Sequence, residues 1–129
     1  MVCSDTERIG PSSLGPQFKL WLSCDDAQGA FGDGKWRLLK AIQREGSLRA
    51  ATDSLDISYR KAWGDLRKAE KSLGVKLIER HRGGSSGGET RLTDAGRNWV
   101  RAYDAFRERV AQSIATEFDA AFGPRAKSS

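Results

Sequence analysis

The chain has 129 residues, 38% of them apolar, a formal net charge of +5 and a pI near 9.5. That is material for one compact domain of about 90 to 110 residues with loose ends, and too little for a second core. The basic excess favours a polyanionic partner and is concentrated: Arg60, Lys61, Arg67, Lys68, Lys71, Lys76, Arg80 and Arg82 face only Asp65, Glu70 and Glu79 over the same stretch, whereas residues 1–34 lean acidic.

The opening MVCSDTERIGPSSLGP lacks an apolar run long enough for a signal peptide, and no later stretch approaches a membrane span. A cytoplasmic protein without membrane contact is expected, with residues 1–17 as a flexible N-terminal segment. Cys3 and Cys24 have neither CxxC nor metal-ligand spacing. Phe18 to Leu22, FKLWL, alternates and predicts a short strand at a sheet edge. DDAQGAFGDG, residues 25–34, reads as a turn-rich loop. Asp33 then offers an N-cap for a helix from Lys35 to Glu45, whose apolar side is Trp36, Leu38, Leu39 and Ile42, and Gly46 closes it.

The stretch from Ser47 to Leu73 reads as two short helices joined by a tight turn. Ser47 is a good N-cap for a first helix with Leu48, Ala51 and Leu55 on one face, and Asp56 and Ile57 make the corner. Ser58 caps the second helix, with Ile57 just outside it. Along that helix Ala62, Leu66, Ala69 and Leu73 recur at intervals of four, three and four, so they form one buried stripe. Arg60, Gly64, Arg67 and Lys71 follow the same spacing on the opposite side, flanked by Lys61 and Lys68. Such a basic face is commonly no more than a solvated surface. Here the small residues Ala50 and Ala51 stand where two helices must cross closely, as a helix-turn-helix requires.

A major groove admits one α-helix, whose first residues meet base edges while cations along it meet phosphates. Ser58 stands where those contacts begin, and Tyr59, Arg60 and Lys61 are assigned to base edges. Arg67, Lys68 and Lys71 are assigned to phosphates, and Ser47 and Arg49 to the DNA backbone. Trp63 borders both faces and reads as a packing residue.

Gly74 stops this helix, and Val75 to Arg80 alternates as a strand should. HRGGSSGGE and a second strand, Thr90 to Leu92, complete a hairpin, or wing, whose Arg80, His81 and Arg82 can reach the DNA backbone. A nucleotide-binding glycine loop is excluded because the Lys-Ser/Thr ending and the strand-to-helix context are missing. His81 is the lone histidine and no second acid-base set accompanies it, so an enzyme is not expected.

Thr93 caps a last helix from Asp94 to about Phe122, roughly 40 Å at 1.5 Å per residue. Its stripe of Trp99, Tyr103, Phe106, Val110, Ile114, Phe118 and Phe122 exceeds what so small a domain can cover, which predicts a homodimer through this helix. Gly123 and Pro124 end it. The fold class is thus mainly α with a small β-hairpin: a winged helix-turn-helix over residues 18–92, a dimerisation helix over 93–122 and a disordered tail over 123–129.

These residues also carry a family likeness. GSLRAATDSLDISYRKAW, followed by LGVKLIERHRGGSSGGETRLTDAGR and the aromatic start of the long helix, resembles the N-terminal DNA-binding domain of the ModE-type molybdate-responsive regulators. The Ser-Tyr-Arg-Lys-Ala-Trp run at 58–63 and the Gly-Gly-x-x-Gly-Gly wing at 83–88 are its more specific parts. LGVKLIER and RLTDAGR are shared more widely with LysR-type regulators. The resemblance covers about Phe18 to Phe106 and implies a dimeric transcription regulator reading a two-fold related operator. Regulators of that type place their molybdate sites in separate C-terminal domains, for which this chain leaves no room. No cofactor is therefore expected, and a signal would reach the short form through a partner protein or from elsewhere. The alternatives are a winged-helix protein-interaction module and a nonspecific nucleic-acid binder.

Overall fold

Local signals along the chain produce eight elements: β1 (Trp21–Cys24), β2 (Ala27–Gly32), α1 (Asp33–Glu45), α2 (Leu48–Leu55), α3 (Tyr59–Leu73), β3 (Ile78–His81), β4 (Glu89–Leu92) and α4 (Asp94–Phe122). They are seen in a computed structural model that describes residues 8–25, 27–81 and 88–123. The chain forms two units, one of Lys19–Asp104 and one of Met1–Phe18 with Ala105–Ser129, so α4 contributes to both.

In the larger unit β1 and β2 form an antiparallel hairpin, with Trp21 opposite Gly32 and Leu22 opposite Phe31. Two expectations are corrected here. The strand placed at 18–22 lies at Trp21–Cys24, and most of the segment read as a turn-rich loop is its partner strand. The reason is Phe31, which is fully buried and whose ring lies 5.0 Å from Trp99 and 5.1 Å from Tyr103. Burying one such aromatic outweighs the poor strand propensity of its neighbouring glycines.

Helix α1 begins two residues earlier than expected, and its N-cap is Gly32 without a side-chain cap bond. Asp33, expected to cap it, is drawn elsewhere: its Oδ2 accepts from the Leu20 N–H at 3.1 Å, and its Oδ1 lies 2.8 Å from the Tyr103 hydroxyl. Gly46 terminates α1 in the left-handed region, its N–H bonded to the Ile42 carbonyl at 2.8 Å. Leu38, Leu39, Ala41 and Ile42 point inward.

Ser47 and Ser58 cap α2 and α3, accepting from the N–H groups of Ala50 and Lys61 at 3.0 and 3.1 Å. Between them Asp56 adopts a left-handed conformation and Ile57 N–H bonds to the Thr52 carbonyl at 3.0 Å, which closes the corner. Leu48 and Ala51 of α2 and Ala62, Leu66 and Ala69 of α3 are buried in the core.

The wing pairs Ile78 with Leu92 and His81 with Glu89 in antiparallel register. Its first strand starts at Ile78 rather than Val75, because the preceding backbone is committed to α3: the Glu70 carboxylate accepts from the N–H groups of both Leu77 and Ile78. The glycine-serine tip and Arg82 lie outside the described residues. Thr93 caps α4 through the Gly96 N–H at 2.9 Å. Gly96 is there for clearance, since a Cβ would collide with the Leu77 carbonyl oxygen.

Tyr103 corrects a further expectation. Expected on the dimer stripe, it is 2% exposed, packed on Phe31, with its hydroxyl 2.8 Å from the Leu20 carbonyl as well as from Asp33. Trp99 also contributes to this core rather than standing clear of it. Trp36 donates its indole N–H to Asp104 at 2.6 Å.

In the smaller unit, Ile9 N–H bonds to the Phe122 carbonyl at 2.8 Å and the Arg8 guanidinium reaches the Gly123 carbonyl at 3.2 Å. Arg8 also lies over the Phe118 ring, Phe118 stacks on Phe122, and Arg107 lies over Phe18. Of the segment 1–17, residues 1–7 lie outside the described residues, as does the tail from residue 124.

Candidate nucleic-acid interface

The outer face of α3 follows from its inner one. With Ala62, Leu66 and Ala69 turned into the core, Arg60, Lys61, Arg67, Lys68 and Lys71 are exposed. A Cβ at Gly64 would meet nothing within 4 Å, so the surface between Arg60 and Arg67 is open. The positive end of the helix dipole, with Ser58 capping the Lys61 N–H, and the cations along the helix make a surface that attracts anions. Lys61 is partly engaged, with its ammonium 3.0 Å from the Asp65 carboxylate one turn on.

The flank facing the wing is an interlocked set of arginines and rings. Arg49 from α2 lies over the Tyr59 ring at 4.2 Å, and Arg80 from the wing donates to the Tyr59 hydroxyl at 2.6 Å. Arg80 also covers the Trp63 ring at 4.4 Å, and Arg67 approaches the same ring at 5.4 Å. Such contacts are each worth on the order of 0.5–1 kcal/mol at exposed sites, so their main effect here is to fix direction. Three guanidinium groups from three elements are thereby aligned along one side of α3.

The wing itself is tied down. Thr90, 4% exposed, accepts from the Leu48 N–H through its hydroxyl at 3.2 Å, and its own N–H bonds to the Gly46 carbonyl at 3.1 Å. A cleft of about 410 Å³ remains between α2, α3 and the wing, lined by Ser47, Arg49, Asp53, Tyr59, Arg80 and neighbours. His81 is exposed beside Glu79, with 3.5 Å between ring nitrogen and carboxylate.

The structure thus brings Ser47, Arg49, Ser58, Tyr59, Arg60, Lys61, Arg67, Lys68, Lys71, Arg80 and His81 onto the larger unit's α2, α3 and wing. Ser47 and Ser58 spend their hydroxyls on capping. Tyr59, assigned to a base edge, is half-buried between Arg49 and Arg80. Trp63, read as packing, packs on the core and also carries two arginines. The bracing roles of Thr90 and Glu70 have no local sequence signal, because their partners lie 42 and 7 to 8 residues away.

Two helices crossing at a tight corner, an outward cationic second helix and a braced hairpin define a winged helix-turn-helix fold. Residues 34–97 match the family model of the bacterial regulatory helix-turn-helix proteins, lysR family. A crystal structure of the BenM DNA-binding domain with the benA site 1 DNA shares the fold, with a TM-score of 0.51 over 65% of this chain and 92% of that one at 24% identity.

More particularly, part of the chain is similar in sequence to ModE proteins. It is 40% identical over 80 residues to the molybdenum transport protein ModE of Azotobacter vinelandii, and 40% identical over 68 residues to the transcriptional regulator ModE of Haemophilus influenzae. Those matches cover 62% and 53% of this chain, but 30% and 27% of the relatives, so the chain spans about a third of their length or less. The family model describes regulatory helix-turn-helix proteins, and the Haemophilus influenzae relative is a transcriptional regulator. Among the described residues no helix is long and apolar enough to cross a membrane.

Proposed function

We propose that this chain is a sequence-specific DNA-binding transcription regulator of the ModE type that acts as a homodimer on a two-fold related operator. The observation that carries the reading is the outward presentation of Arg60, Arg67 and Lys71 on a helix whose underside is sealed, beside the Arg49 and Arg80 groups held on Tyr59 and Trp63. In this reading Arg60 and Lys61 meet base edges, while Arg67, Lys68 and Lys71 hold phosphates. Arg49, Arg80 and His81 follow the backbone, joined by Arg82 at the wing. Tyr59 contributes by aiming arginines more than by reading a base.

The dimer contact falls to Phe106, Val110, Ile114 and Phe118 in the second half of α4, where Phe106 is 46% exposed. Exposing such an aromatic is costly unless a second copy covers it. The domain scheme of a reading head followed by a dimerisation helix accords with this division of labour, and a regulator of bacterial genes works in the cytoplasm. Nothing in the proposal requires a cofactor.

Selection of bound duplexes from a random pool with the purified chain tests the reading. Enriched sequences should share a half-site repeated with two-fold symmetry, at a spacing of about one helical turn or a multiple of it. Enrichment of no motif would contradict sequence-specific recognition. Separately, replacing Phe106 and Val110 by aspartate should give a monomer in sedimentation, and an unchanged mass would move the interface off α4.

A further inference from the structure

On the other flank of α3, away from the wing, the larger unit has a second concavity of about 500 Å³, bounded by the β1–β2 hairpin and the starts of α1 and α3. Its apolar lining includes Leu20, Leu38 and Ala62, flanked by Trp21 and Ile57. Among the described residues of this unit, Trp21 and Ile57 are the large hydrophobic side chains that stand exposed, at 61% and 46%, and both line this one groove. Scattered exposed apolar residues need no explanation, but a pair converging on one concavity marks a contact surface.

The display of Trp21 is built into the hairpin. Its cross-strand partner is Gly32, where a Cβ would come within 2.6 Å of the Trp21 Cβ. Ile57 precedes the Ser58 cap, where an apolar residue commonly packs onto the first turn of its helix, yet here it stays open to solvent.

The rim is basic. Lys19, Lys35, Arg37 and Lys61 line the groove, against Asp33 and Asp65. Asp33 is buried and bonded to the Leu20 N–H, and Asp65 is taken by Lys61. The charge presented outward is therefore positive, from the exposed Lys19 and Arg37 and from the half-buried Lys35, whose ammonium also donates to the Gly29 carbonyl at 3.1 Å.

We propose that this groove docks a short acidic segment of a partner protein, with one aromatic or leucine side chain seated between Trp21 and Ile57 and carboxylates facing Lys19, Lys35 and Arg37. Burying an apolar anchor in a pocket with charges at its edge is the usual division between core and rim of an interface. A DNA backbone would gain nothing from Trp21 and Ile57. A second copy of a chain with net charge +5 is a poor electrostatic match for a basic rim. The proposal stands on the groove alone and does not rest on the DNA reading.

The probe is a random dodecapeptide library displayed on phage and selected against the immobilised full chain, with enriched peptides then titrated as labelled synthetic peptides by fluorescence polarisation. Enriched sequences should combine several Asp or Glu with an aromatic or leucine. Trp21→Ser should weaken their binding about tenfold or more, as should Ile57→Ser from a different element, and Lys35→Glu should weaken it with a smaller salt dependence remaining. Two substitutions on separate elements keep the test sound should one of them unfold the chain. Failure to enrich acidic peptides, or binding indifferent to both apolar substitutions, overturns the proposal. So does a loss of duplex affinity in Trp21→Ser, which gives the groove to nucleic acid, or a halved mass in sedimentation, which gives it to a second copy.

Discussion

The β1–β2 and β3–β4 hairpins are both short, two-stranded and antiparallel, yet they are held by different forces and serve different surfaces. The first is anchored by apolar burial, with Phe31 at the centre of an aromatic cluster. The second also sinks a cross-strand apolar pair, Ile78 and Leu92, into the core, and adds polar ties: Thr90 on the Leu48 N–H, Glu70 on the backbone before β3, and Arg80 on Tyr59. The contrast implies that loss of the Phe31 anchor unfolds the domain, while loss of the second hairpin's polar ties disorganises the reading surface at a smaller cost in stability.

Phe31→Ala should cost the most, about 3–5 kcal/mol in chemical denaturation, because it removes the aromatic between Trp99 and Tyr103. A loss below about 1 kcal/mol would mean that the hairpin is peripheral and the comparison is misplaced. Gly96→Ala comes next, at about 1–3 kcal/mol, since the new methyl group meets the Leu77 carbonyl and pushes α4 from the base of the wing. A neutral result there would show that this approach relaxes without penalty. Ser58→Ala should cost about 1 kcal/mol through the lost cap on the Lys61 N–H. Tyr59→Phe sharpens the contrast most finely: thermal stability should fall little, because Arg80 is exposed, while DNA affinity falls as Arg80 loses its guide. Equal DNA affinity in Tyr59→Phe and the parent would remove the bracing role.

The same contrast explains what the sequence discloses. The helix-turn-helix is legible because its signals are local: Ser47 and Ser58 sit beside the N–H groups they cap, and the Ala62, Leu66, Ala69 stripe is a matter of spacing. The wing is legible for the same reason. β2 is not, because Gly29 and Gly32 punctuate it and the burial of Phe31 depends on residues some seventy positions later. Asp33 is misassigned as a cap on the same ground, since its Tyr103 partner arrives only with α4. Periodicity places Tyr103 on an apolar stripe, but it cannot say which neighbour covers that stripe. In the interface, the cations of α3 are legible as a face, whereas the Arg49, Tyr59, Arg80 and Trp63 interlock joins three elements and is visible only once they are folded together.

The account depends most on the exposed cations of α3 meeting DNA phosphates. Titration of labelled duplex DNA across a salt series, with the parent chain and with Arg67→Ala, measures that directly. The logarithm of affinity should fall linearly and steeply with the logarithm of salt concentration, and Arg67→Ala should lower the slope by about one while weakening binding to all sequences alike. Affinity that does not change with salt, or an Arg67→Ala slope identical to that of the parent, would contradict the account.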